Sequence, residues 1–321
     1  MRALRVDVPG NAAVVDVPVP DPVEGESLVR VEVAAMCATD IKLTARGADP
    51  PRVPGHEIAG RLEDGTLVGV HPDIGCGKCR YCVSGSENRC PHRVSIGLGR
   101  DGGFAERVLV PSAHVIPLDA IDSRIGALLE PLACCIHAVA MLGVDDGDLA
   151  LVVGAGPMGI LSMWILKYYG ARVVVAQRST ARRSVARRLG ADHVVAADAE
   201  IASEVGEQPS AAVVTAPGAS ALTFALEQIS AGGSVHAFAG TPGGAAIDAN
   251  LVHYRHARLL GSTGSTTHDY RTAAHLARRG AVPLDDLPTT TVPLERLPQF
   301  LTGMAHTDAL KVLVSPGGAE P

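Results

Sequence analysis

The sequence predicts an α/β protein of two domains, one β-rich and one built on a doubly wound parallel sheet, and three observations carry that prediction. The chain has 321 residues, about twice a common domain length. Its composition is 47% hydrophobic but only 3% aromatic, so the interior must be built from Ala, Val, Leu and Ile, the residues of buried parallel strands packed by helices. Near Leu149 the rhythm of the apolar runs changes, from short strands separated by Gly and Pro to strands alternating with helical patterns.

Up to about Pro117 the short β-like runs, such as 28–33 and 105–110, read as a β-rich, partly barrel-like domain. From Leu149 onward strands are expected at 149–153, 172–176, 193–196, 211–215, 234–238 and 258–262, with helices at 157–169 and 181–189. Past Thr263 the pattern gives helices at 269–279 and 293–304 and a strand at 311–314, expected to return to the first domain, then a frayed tail at 316–321. The expected division is therefore 1–132 with 265–321 for one domain and 133–264 for the other.

The net charge of −6, with no basic block, disfavours a nucleic-acid partner. No apolar stretch approaches the roughly 18 residues of a membrane span, and the N-terminus lacks an apolar signal core, so a cytoplasmic protein is expected. Four of the seven cysteines fall within fifteen residues, which points to reduced, metal-binding thiols rather than disulfides.

Those four, Cys76, Cys79, Cys82 and Cys90, have the spacing that lets thiolates converge on one tetrahedral zinc, a closed structural site in a lobe over 76–90. A second, dispersed set consists of Cys37, His56, Glu57 and Glu130; with a water to complete the shell it has the inventory of a catalytic zinc. The third element is Gly154, Gly156, Pro157, Met158 and Gly159, a G-x-G-x-x-G that ends an apolar run and opens a helix, suited to a dinucleotide pyrophosphate.

An NAD-binding fold usually places Asp or Glu about 20 residues beyond the Gly-rich turn, where it binds the adenosine ribose. No acidic residue occurs from Leu149 to Ala191, and the corresponding stretch offers Gln177, Arg178, Ser179, Arg182 and Arg183. Guanidinium forks suit a phosphate, so NADP(H) is favoured over NAD(H).

Taken in order, the motifs around Cys37-Ala38-Thr39-Asp40, Gly55-His56-Glu57, the four cysteines, Asp101-Gly102-Gly103-Phe104-Ala105-Glu106, Glu130-Pro131-Leu132-Ala133 and Gly154 to Gly159 resemble the zinc-dependent medium-chain dehydrogenase/reductase family. The resemblance covers essentially the whole chain. It implies a GroES-like catalytic domain and a Rossmann domain, two zinc ions per chain, and a homo-oligomer, dimer or tetramer.

Glu130, standing where ethanol-type enzymes have a cysteine, is similar to the sorbitol (polyol) and threonine dehydrogenase branch, which implies a polar secondary alcohol or its ketone as substrate. By the same resemblance Cys37 and His56 bind the catalytic zinc, Glu57 or Glu130 takes the remaining position, and Thr39 relays the alcohol proton.

Two departures stand out. Ala38 replaces the usual Gly, and Lys42 stands where some members carry a relay histidine. Lys42 is then a proton carrier, an anchor for substrate or cofactor, or a solvated surface charge. The alternative to an enzyme is a non-catalytic regulatory protein that binds zinc and a dinucleotide on the same scaffold.

Overall fold

The computed structural model describes residues 1–241 and 243–318. These form two compact units. The first holds Met1–Ala133, Gly264–Gly280 and the stretch from Pro288, and the second holds Cys134–Thr263 with Ala281–Leu287.

The first unit is organised by the long strand Glu26–Ala35, which pairs antiparallel with Glu57–Arg61, Arg107–Pro111 and Lys311–Ser315. A seven-stranded sheet results, extended by Leu67–Val70, Val115–Pro117 and Thr289–Pro293. Alternation along Glu26–Ala35 sends Val29, Val31 and Val33 into the interior and leaves Arg30 exposed. The turn joining Glu57–Arg61 to Leu67–Val70 is short, closed by Leu62 with Thr66 and by the Asp64 carboxylate on the Thr66 N–H.

The second unit is a six-stranded, wholly parallel sheet in the order His193–Val195, Arg172–Ala176, Leu149–Val153, Ala211–Val214, Ser234–Ala237, Arg258–Gly261. All five residues of Leu149–Val153 are buried, as expected of a central strand covered on both faces. The helix Pro157–Tyr168 starts with Pro at its first position, where the missing N–H costs no helical bond.

The helix expected at 293–304 is shorter and broken: Pro293 ends a strand, Thr289–Pro293, that runs parallel to Lys311–Ser315 and was not expected, and a single turn over Leu294–Arg296 then leads into the short helix Leu297–Leu301. The β-branched run Thr289, Thr290, Thr291 explains the strand, because branched side chains fit a pleated surface better than a helix. Of the expected frayed tail, Pro316 is buried and its carbonyl accepts a hydrogen bond from Arg2, while residues 319–321 lie outside the described residues. Among the described residues no helix is long and apolar enough to cross a membrane.

Candidate active site

In the first unit Cys37, His56 and Glu57 come together, one ligand atom from each lying within 4.8 Å of the others. Cys37 precedes the helix Ala38–Arg46, and Glu57 opens the strand Glu57–Arg61. The link between them is Asp40, fully buried. One of its carboxylate oxygens accepts from the Cys37 N–H at 2.8 Å, the other from the Gly55 N–H at 3.1 Å, and the latter also faces His56 Nδ1 at 3.5 Å. A single carboxylate thus ties together the turns that carry Cys37 and His56 and lies beside the imidazole.

Glu57 is fully buried and receives Lys311 Nζ on Oε1 at 2.6 Å, while its Oε2 has no hydrogen-bond partner. Burial pushes the Glu57 pKa up, with Lys311 and His56 opposing. Burial works against the Lys311 cation too, yet Glu57, Cys37 and Glu130 more than compensate and hold its pKa above the ordinary value. At His56 desolvation is likewise outweighed by Asp40 and Cys37, which raise its pKa well above normal.

Glu130, second residue of the helix Leu129–Ala140, is buried and close enough to act electrostatically on Lys311 and on the buried Tyr270. Thr39 Oγ1 is 3.7 Å from Cys37 Sγ and partly exposed. Lys42 is on the exposed side of the helix Ala38–Arg46, in contrast to the buried Asp40. Its surroundings fit the solvated surface charge.

Cys76, Cys79, Cys82 and Cys90 also converge, their sulfurs within 4.8 Å of one another, and none is in a disulfide. Backbone N–H groups of Cys76 and His92 point at Cys90 Sγ at 3.4 Å. The N–H groups of Lys78 and Cys79 draw the Cys76 pKa down to about 6, whereas burial pushes Cys82 up to about 12. Inward-facing sulfurs surrounded by N–H donors suit thiolates on a metal.

In the second unit the Gly-rich turn has the shape a pyrophosphate needs. A Cβ on Gly159 would lie 1.9 Å from the Gly154 carbonyl oxygen, so helix and strand can meet there only through glycine. A Cβ on Gly156 would instead point into open space, meeting only Arg182 Nη1 at 4.0 Å. Met158 is partly buried behind it. A hollow of about 340 Å³ adjoins this turn, lined by Gly154, Gly156, Gln177, Arg178, Arg182 and Thr215 among others. Arg183 turns back onto the Gln177 and Arg178 carbonyls, and Ser179 caps the helix Thr180–Arg188.

Comparison with known proteins agrees with this geometry. Residues 23–120 match the alcohol dehydrogenase GroES-like domain, and 157–279 match the zinc-binding dehydrogenase domain. L-galactonate-5-dehydrogenase of Escherichia coli is 33% identical over 87% of the chain and 88% of its own length. The chain belongs to the zinc-dependent medium-chain dehydrogenase/reductase family. L-threonine 3-dehydrogenase of Rhizobium etli is 29% identical, with 93% of each chain covered. A zinc-binding dehydrogenase of Sinorhizobium meliloti, solved with NADP bound, superposes with a TM-score of 0.91 at 30% identity, covering 98% of this chain and 99% of its own. As a member of a family of zinc-containing dehydrogenases, the protein is an enzyme, and the regulatory alternative falls away.

Sequence reasoning missed Lys311 and gave Asp40 no role. Lys311 was legible as a cation opening an otherwise apolar strand, a position that calls for a buried anion. Asp40 was legible as an acidic residue three positions after Cys37, where it can reach back to that N–H.

Proposed function

We propose that the enzyme oxidises a polar secondary alcohol of polyol, cyclitol or amino-alcohol type, or reduces the matching ketone, with NADP(H) preferred over NAD(H). The observation that carries this reading is the trio of partly exposed Cys37 with buried His56 and Glu57, in which Glu57 Oε2 has no protein partner. A thiol, an imidazole and a carboxylate so gathered form a donor set that fits zinc.

Cys37, His56 and either Glu57 or Glu130 would hold the catalytic zinc, and Cys76, Cys79, Cys82 and Cys90 a structural one. The first ion supplies Lewis acidity at the substrate oxygen, and the nicotinamide carries the hydride. Thr39, beside Cys37 and partly exposed, takes the hydroxyl proton and passes it outward, since its own hydroxyl donates and accepts at once. Asp40 lies beside His56, and Lys311 anchors Glu57 by one oxygen while the other remains available.

Support for the substrate class comes from the relatives' names: position 5 of L-galactonate and position 3 of L-threonine are both secondary carbinols with a polar-substituted carbon beside them. Support for NADP(H) comes from the second unit. Arg178 is exposed beside the hollow at the Gly-rich turn, with Gln177, Ser179 and Arg182 around it. The first acidic residue beyond the turn, Asp192, is occupied by Lys167 at 2.7 Å and by the Val173 N–H. It does not line the hollow, so no carboxylate there repels a 2′-phosphate.

The test is a comparison of kcat/KM for polyols, aminocyclitols, amino alcohols and small primary alcohols with both cofactors, in the parent and in Arg178→Ala. Polar secondary alcohols should lead, and Arg178→Ala should lower NADP(H) efficiency by about tenfold or more while sparing NAD(H). Equal turnover of ethanol-like alcohols would refute the substrate class, and an unchanged NADP(H) efficiency would refute the role of Arg178.

A further inference from the structure

Away from both cysteine clusters, the outer face of the first unit carries a row of like charges that packing does not require. Arg30 is the register partner of Arg107 on one side and of Arg61 on the other, so three guanidiniums rise together from adjacent strands. The neighbouring register pair, Val29 and Val108, is buried on the opposite face. Like charges placed directly opposite in a sheet repel one another.

Acidic relief is incomplete. Glu32 Oε1 meets Arg61 Nε at 2.8 Å and Arg30 Nη2 at 3.6 Å, one carboxylate shared by two cations. Arg107 is exposed and has no acidic or hydrogen-bonding partner among the described residues.

Two hollows meet at Arg107. The smaller, about 340 Å³, is bordered by Arg30, Arg61 and Arg107, with Glu63 also lining it. The larger, about 520 Å³, has apolar lining from Val17, Pro18, Pro20 and Leu109, with Arg5, Arg52, Arg100 and Asp101 also bordering it. Leu28 of the smaller hollow and Leu109 of the larger are register partners, so one apolar floor runs under both.

We propose that these joined hollows bind a small organic phosphate, with its phosphate on Arg30, Arg61 and Arg107 and its apolar body in the larger hollow. Three cations against Glu32, shared by two of them, and Glu63 leave a net positive charge at the smaller hollow suited to a phosphate monoester. The planar guanidinium fork pairs with phosphate oxygens, and the volumes fall among those of small-molecule sites. The Gly-rich dinucleotide turn belongs to the other unit, so this is a second anion site on the chain.

The probe is naphthyl phosphate, titrated calorimetrically into the zinc-loaded enzyme with NADP(H) saturating, so that the cofactor's own phosphate contacts are filled. One equivalent should bind per chain, more tightly than inorganic phosphate, and Arg107→Ser and Arg30→Ser should each weaken it about tenfold. In phosphate-free buffer Arg107→Ser should unfold at or above the parent's temperature, because a repulsion has been removed; in naphthyl phosphate the order should reverse. Unchanged affinity in both variants overturns the proposal. So does inorganic phosphate binding as tightly as the naphthyl ester, which would make the row a general anion surface. Binding of a single-stranded oligonucleotide without binding of naphthyl phosphate would mark a nucleic-acid face instead, and equally overturn it.

Discussion

Replacing Lys311 by Met removes one charge from a pair that is almost wholly excluded from water. Lys311 is 4% exposed and Glu57 fully buried, with Nζ and Oε1 at 2.6 Å. At that separation the attraction is about 6 kcal/mol in an effective dielectric of about 20. Desolvation of both ions consumes much of it, so the pair adds little net stability over an apolar pair. Removing only the cation is different, because Glu57 stays buried and uncompensated. Lys311→Met should therefore cost about 3–5 kcal/mol in the metal-free protein, as in other broken buried pairs. In the zinc-loaded protein the loss should be smaller, since a divalent cation beside Glu57 supplies positive charge.

The double variant Lys311→Met/Glu57→Gln should recover part of the deficit. The assay is urea unfolding followed by circular dichroism, with and without chelator. Trp164 fluorescence would be misleading, because the only tryptophan lies in the other unit. A Lys311→Met protein within about 0.5 kcal/mol of the parent, the range of ordinary surface changes, would refute the argument. A double variant no more stable than the single one would refute it as well.

Four further outcomes are expected. Metal analysis should find two zinc ions per chain, one for each cluster. Cys37→Ser should retain the fold and lose one ion and turnover, and a fully active Cys37→Ser enzyme would overturn the catalytic assignment. Cys79→Ser should lose the other ion and lower Tm by at least about 5 °C, since a ligand of a structural zinc contributes several kcal/mol and each is worth about 2–4 °C at this size; an unchanged Tm would argue against a structural role. His236, buried and bonded to Ser262 at 3.0 Å, has its pKa lowered to about 4 by burial and by His137. The unfolded chain, with His near 6.5, therefore binds the proton first, so stability is intact above about pH 6.5 and falls as the pH drops toward 4. His236→Gln should flatten the Tm curve over that window, and an identical slope would contradict the assignment.

How much of this was legible in the sequence depended on how far apart the cooperating residues lie in the chain. The Cys76 to Cys90 run and the Gly154 to Gly159 turn are written in local spacing, because a metal ligand set and a tight strand-to-helix turn each demand fixed distances along a few residues of backbone. The parallel sheet was legible for a similar reason: its central strands are buried on both faces and so read as continuous apolar runs. The strand Thr289–Pro293 went unassigned because a short segment lacks a decisive period, and its pairing with Lys311–Ser315 settles its conformation. Only the tertiary structure gave Asp40 its two backbone bonds and set Lys311 against Glu57, 254 positions away along the chain. Only strand register placed Arg61, Arg30 and Arg107 in one row. Register is chosen by which side chains the core must bury, and that choice decides which polar residues are forced to become neighbours.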